Sequence, residues 1–538
     1  MLTCRHGQAT MERTLYAASR SLEIEGELYL PEEYPELEAV LSAHGYLTEV
    51  AGEIDGNKLL LSGTVETHLV YQSKEKLDQV SAYGLILSGI NGAVFNGEIS
   101  LPDLAAATWD WHARLVKIKL EPGTARAVKY RLELEVQLHA NQSAQVGFID
   151  EIKAEAGIHT EVEHLVIAEP VLKTYVKRDI NQQFPLTYPK PPLARLLSCQ
   201  VYPVSLAAAF AKDRVNIEGK LEVHLAYVTL AEDGHEGGVE TQKWTAENGG
   251  AIPFQITAET PVLQEPAVDY EIWVEGVQFT STHPESFRVQ AQLGVEVCLS
   301  KTKQINAIID VSPAGEGIID LKRESVAWVE VVEDAERLIT VEKMLTLPAG
   351  YPDLGKVLQV SILEPKLEWQ LSSDQLMVTG EMAGFLLYQT AGAEAESATL
   401  QTATWGMGDA AALGFGTALE LPGVETEMQS RCTVNLQQIK SEQVDGRTVK
   451  LTLEFKARIR VTQNREIALV TDSALVLPEE GPKPSMLFYV VQSGDTLWQI
   501  ARRYNSTMAT IAAANYLTNP DQELVSGRKL LIPKELRG

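Results

Sequence analysis

A nonapeptide that occurs three times constrains this chain more than any other feature. It reads GTVETHLVY at Gly63–Tyr71, GKLEVHLAY at Gly219–Tyr227 and GEMAGFLLY at Gly380–Tyr388. Side chains alternate across an extended strand, so residues at even offsets from the tyrosine share one face. Those faces hold Val65, Thr67, Leu69 and Tyr71, then Leu221, Val223, Leu225 and Tyr227, then Met382, Gly384, Leu386 and Tyr388. Being mostly apolar, they predict the buried side of a strand, with the three tyrosines at equivalent places in three β-rich units.

The flanks repeat in the same order. A Tyr-Pro pair stands upstream at Tyr34, Tyr188 and Tyr351, at near-constant distance from the strand glycine. Downstream come Phe95 and Pro102, Phe254 and Pro261, Phe415 and Pro422, and then alternating runs at Tyr130–His139, Phe287–Leu299 and Val449–Val461. A spacing near 160 residues far exceeds the period of solenoid repeats, so the copies read as tandem domains. The bounds expected for them are 12–150, 171–305 and 329–470, with residues 140–170 and 306–328 as links, Val162–Ile167 in the first also fitting an extended segment. A Pro-rich linker is expected at 476–486 and a small module at 487–535. Short alternating strands between Gly and Pro turns imply a mainly β fold, each copy a sandwich or open barrel. Leu37–Leu41 fits a short helix or a strand, and Glu232–Gly238 an exposed hairpin loop.

Composition narrows the function. The net charge of −27 argues against nucleic acid, which needs clustered Lys and Arg, and against docking on an anionic membrane. No apolar run approaches the 18 or so residues of a bilayer span, so membrane insertion is not expected. MLTCRHGQATMERTLY lacks a signal-peptide core, which gives an expectation of a protein that stays where it is made. The reading frame could begin at Met1 or Met11. Cys4, Cys199, Cys298 and Cys432 have no Cys-x-x-Cys spacing and read as four free thiols rather than disulfides or zinc ligands. No nucleophile elbow, phosphate loop or zinc helix is present, so no catalytic residue, metal or cofactor is assigned and an enzyme is not expected. His68 and His224 share an offset that the third copy fills with Phe385, which fits packing better than ligation.

The tail differs in pattern. Tyr489–Gln492 reads as a strand ending at Ser493-Gly494-Asp495, with Asp495 placed to cap the next helix. Leu497, Ile500, Ala501 and Tyr504 fall at i, i+3, i+4 and i+7, a helical stripe. A second helix begins at Ser506 or Thr507 and runs to Asn515, and Leu530–Ile532 closes as a strand. This βααβ order, with Gly-Asp-Thr-Leu, an Ile-Ala pair, Asn515, Gly527 and Leu-x-Ile-Pro in register, resembles a LysM module. The resemblance implies a shallow groove between two loops that takes N-acetylglucosamine-containing glycans such as peptidoglycan or chitin. The groove residues would be Gly494, Asp495, Thr496, Leu497, Asn515, Leu517, Asn519, Pro520 and Asp521, with Asp495 and Asn515 structural, as helix cap and helix end, and the loop backbone meeting the ligand.

Three β-rich repeats followed by one LysM module resemble the SPOCS-domain/LysM spore-coat morphogenesis proteins of spore-forming bacteria. That resemblance implies three SPOCS-type β-domains and a non-enzymatic scaffold in spore-coat assembly and engulfment. It further implies a cytoplasmic place in the mother cell at the forespore surface, and a LysM module docked on the coat's basement-layer ATPase. Such a docking surface would extend onto Trp498, Arg502 and Tyr516, although Trp498 also suits a core. The alternative is a peptidoglycan-binding protein. Residues 487–538 carry a net +2 and leave −29 on the remainder, an asymmetry that would speed encounter with an acidic partner.

Overall fold

The computed structural model describes residues 2–533 apart from 76–79, 105–106, 155–157, 314–317, 364, 393–398, 407–412, 477–485, 505 and 520–523. The chain is mainly β. The first repeat supplies β1 (Leu2–Tyr29), β2 (Leu37–Asp55), β3 (Lys58–Ser73), β4 (Ala82–Leu87), β5 (Ala93–Ser100), β6 (Thr108–Thr124) and β7 (Ala127–Ala154). The second keeps that order in β8 (Ile158–Pro185), β9 (Leu193–Ala211), β10 (Arg214–Leu230), β11 (Glu236–Trp244), β12 (Ile252–Glu259), β13 (Ala267–His283) and β14 (Ser286–Pro313). In the third, two strands are each broken in two. It comprises β15 (Ile318–Thr346), β16 (Leu354–Ile362), β17 (Lys366–Ser372), β18 (Gln375–Met382), β19 (Gly384–Thr390), β20 (Leu400–Trp405), β21 (Leu413–Glu420), β22 (Gln429–Gln443) and β23 (Thr448–Val476).

Every repeat pairs its strands alike and antiparallel. One sheet joins the first, last and penultimate strands: β1-β7-β6, β8-β14-β13 and β15-β23-β22. The other is built on the nonapeptide strand. In the first repeat β3 has β2 on one edge and β5 then β4 along the other. Leu37–Leu41, open between helix and strand from sequence, belongs to β2.

The repeated landmarks prove to be halves of single contacts. Gly63 pairs with Phe95, Gly219 with Phe254 and Gly380 with Phe415, and in each case a Cβ on the glycine would strike the phenyl ring. Tyr71, Tyr227 and Tyr388 are fully buried, and their hydroxyls donate to the carbonyls of Pro35, Pro191 and Pro352 at 2.8, 2.9 and 2.9 Å. The equivalence expected of the three tyrosines therefore holds. The Tyr-Pro landmark is displaced in the second repeat. Pro191, not Pro189, accepts the tyrosine bond there, and Tyr188 is 94% exposed.

The described residues of the expected links at 140–170 and 306–328 lie in strands, and residues 2–11, outside the first expected bound, belong to β1. Beyond Asn141, Ser300 and Thr462 the penultimate strand of each three-stranded sheet has ended, and the first and last strands continue as two-stranded ribbons. At ~3.4 Å per residue each ribbon runs roughly 40 Å. A β-bulge sits at the root of each, between Thr14 and Tyr16, Leu299 and Ser300, and Val331 and Glu333, where an extra residue bends the strand. A two-stranded ribbon is marginal alone. Here the three bury Ala9, Phe148, Leu165, Ile167, Ile305 and Leu469 against one another as a stalk.

The bodies of the repeats close a ring. The short strand of each repeat lies against the second strand of the next: β4 on β9, β11 on β16, and β20 on β2. This pseudo-threefold arrangement explains a departure from the one-sided strand expected of the nonapeptide. Glu66 and His68, on its polar face, are 5% and 6% exposed, because that face meets the next repeat. Glu66 accepts the Val277 amide at 2.8 Å, the Gln278 amide group, and His68 Nε2 at 3.0 Å. His224 and Phe385 are likewise buried.

Candidate functional site

The C-terminal module consists of β24 (Met486–Val490), α1 (Leu497–Arg503), α2 (Met508–Ala514) and β25 (Lys529–Pro533), with β24 antiparallel to β25. Its core is Tyr489, Val491, Leu497, Ile500, Ala501, Ile511, Leu517, Leu530 and Ile532. The helical stripe expected from i, i+3 and i+4 spacing is thus its inner face, with Tyr504 at the margin.

The cap is one residue later than expected. Thr496 is the N-cap of α1: its hydroxyl accepts the Gln499 amide at 3.2 Å while the Gln499 side chain accepts the Thr496 amide at 3.1 Å, a reciprocal capping box. Asp495 instead ties the preceding turn. Its Oδ2 accepts the Tyr489 hydroxyl at 2.5 Å and the Gln492 amide at 2.7 Å. Both bonds favour the ionised form, so the carboxyl is held below its ordinary range, chiefly by Tyr489, whose own phenol is pushed up by the same bond. Thr507 caps α2, accepting the Thr510 amide at 3.0 Å.

Asn515 welds α2 to β25. It donates to the carbonyls of Ile511 and Leu531 at 2.8 and 2.6 Å and accepts the Leu531 amide at 2.7 Å. Leu497 and Leu517 are buried at the base of the two groove loops. Five of the nine expected groove side chains therefore hold the module together: Asp495, Thr496, Leu497, Asn515 and Leu517. Gly494, with φ +89°, and Asn519 lie on the exposed loop surface together with Thr518. Pro520 and Asp521 lie outside the described residues, as does most of the linker.

The expected protein interface is divided by the fold. Tyr516, at positive φ, is 90% exposed. Trp498 and Arg502 face the stalk, where Asp310 of β14, 8% exposed, receives both. The Trp498 Nε1 donates to Asp310 Oδ2 at 3.2 Å, the Arg502 guanidinium pairs with the same carboxylate, and Arg323 from β15 joins at 2.5 Å. His159 of β8 meets the Trp498 ring edge-on at 6.5 Å between centroids. Trp498 is thus neither module core nor free surface. Asp310 escaped the sequence reading because its segment read as a link rather than as part of a repeat. The outer face of β24, also unforeseen, exposes Phe488 and Val490 by 68% and 47%.

Elsewhere, burial pushes the Cys432 thiol up to about 12 and the Cys199 thiol higher still, so neither supplies a thiolate. All four cysteines are free. Among the described residues no helix is long and apolar enough to cross a membrane.

Residues 489–533 match the LysM domain family. No curated protein and no solved structure matches the chain. The βααβ module is therefore a LysM domain, consistent with a glycan-binding or adaptor role.

Proposed function

We propose that the chain is a non-enzymatic adaptor in which three β-domains hold one LysM domain on a stalk and its loop groove recognises an N-acetylglucosamine-containing glycan. One observation carries this reading. The stalk consumes the α1 face through Asp310, while Gly494, Thr496, Thr518 and Asn519 stay at the exposed surface. A glycan needs only a groove of that size, whereas a protein partner typically covers about 800 Å² on each side. Calorimetry with chitin oligomers tests it: saturable binding lost in Thr518→Trp, with the fold retained, is expected. Absence of binding to the intact chain would refute it.

A second reading follows from the resemblance to spore-coat morphogenesis proteins, in which the module docks on the basement-layer ATPase at the forespore surface. Exposure of Phe488 and Val490 on the outer sheet face favours this reading, because paired apolar side chains there suit a protein contact. Capture of the ATPase from sporulating cells, lost in Phe488→Glu while chitin-oligomer binding stays absent throughout, would decide for it.

A further inference from the structure

The three repeats meet around a cavity of about 500 Å³ on the pseudo-threefold axis, within the size range of small-molecule sites. The second and penultimate strands of every repeat contribute to its wall, so its centre is set by equivalent residues. Tyr46 and Tyr202 occupy the same place in the first two repeats, each opposite a buried glutamate across the sheet, Glu66 and Glu222. In the third repeat the pair shrinks to Leu363 and Ala383, joined by the bond from the Leu363 amide to the Ala383 carbonyl at 2.9 Å. Loss of that bulk on one side of the axis leaves space that a third Tyr-Glu pair would occupy.

The lining has a definite chemistry. Trp111 and Trp273 bring indole surface from the first and second repeats, and Tyr175 stacks on Trp273 at 5.8 Å. The Tyr46 hydroxyl is buried in the wall beside the Val201 backbone. The two wall cations are already paired, Arg114 with Glu271 at 3.4 Å and Lys177 with Glu275 at 2.8 Å. His44 and His112 are neutral, since burial holds the first at about 3 and lowers the second. Glu49, exposed at the rim, then leaves the lining acidic.

We propose that this axial cavity binds a small amphipathic cation, its apolar body against Leu363 and Val434 and its charge facing the Trp111 and Trp273 indoles and the carboxylates. Aromatic faces attract cations, while an anion would meet carboxylates with no unpaired guanidinium or ammonium to receive it. The inference is independent of the LysM groove.

The experiment is calorimetric titration of the full chain with three probes of like body and different charge: benzyltrimethylammonium, benzyl alcohol and benzoate. The cation is expected to bind saturably and about tenfold tighter than the alcohol, with benzoate weakest. Leu363→Tyr, which restores the residue of the other repeats, and Val434→Phe, from the opposite wall, are each expected to abolish binding while melting cooperatively. Amide exchange of the unaltered chain should slow at 111–115 and 271–275 when the cation is added. No saturable cation binding, tighter binding of benzoate, or protection confined to other segments would overturn the proposal. Undiminished binding in folded Leu363→Tyr would do the same.

Discussion

The first two repeats and the third share a frame and differ where they meet their neighbours. All three keep the buried tyrosine bonded to a proline carbonyl and the phenylalanine laid over the strand glycine. These contacts lie inside a single sandwich. The Tyr-Glu pair of the first two is Leu-Ala in the third, and the third repeat's nonapeptide strand breaks at Ala383 between β18 and β19. An interior contact must be satisfied in every copy, because each sandwich has to fill its own core. A contact between copies can be relaxed at one of three interfaces, since the other two still hold the ring. The axial cavity is where that freedom was used.

The comparison is broken most severely at the shared frame. Tyr71→Ala, Tyr227→Ala and Tyr388→Ala should each cost about 3–5 kcal/mol through loss of a large buried ring, and by similar amounts. Tyr→Phe at the same sites should cost about 1 kcal/mol for the hydrogen bond alone. Denaturant unfolding of the six variants checks both, and a third-repeat value far from the other two would deny a common frame.

Next comes the variable contact. Glu66→Ala leaves the buried Val277 amide without its acceptor and should cost about 1–3 kcal/mol. Ala383→Ser, at the equivalent position of the third repeat, should change stability far less. The same unfolding assay sharpens the contrast, and equal losses would remove it.

The stalk and its passenger give a smaller effect. Asp310→Ala leaves Trp498 and two arginines without their shared carboxylate, and should release the LysM domain with a loss of about 1 kcal/mol after discounting for the partly exposed guanidiniums. Trp498 emission should shift to the red, whereas an unchanged spectrum would show that Asp310 does not hold the domain. Smallest is a pH effect inside that domain. The lowered pKa of Asp495 supplies stability that is present above the ordinary aspartate value near 3.8 and lost as pH falls below it. Acid titration followed by circular dichroism should show that loss, and Asp495→Asn should flatten it.

Period-two alternation by itself specified the β content and which face of each nonapeptide strand turns inward, because that face packs against its own sandwich. Helical spacing in the tail likewise placed Leu497, Ile500 and Ala501 inside the LysM core, and the Thr496–Gln499 box was readable even though Asp495 drew the cap assignment. What the alternation could not convey is which faces meet across some 160 residues. Burial of Glu66 and His68, conversion of two supposed links into a stalk, capture of Trp498 and Arg502 by Asp310, and the cavity beside Leu363 all arise from closure of the ring. A polar side chain or an extended segment reads as solvated until another part of the chain removes the water, and only the tertiary structure decides where that happens.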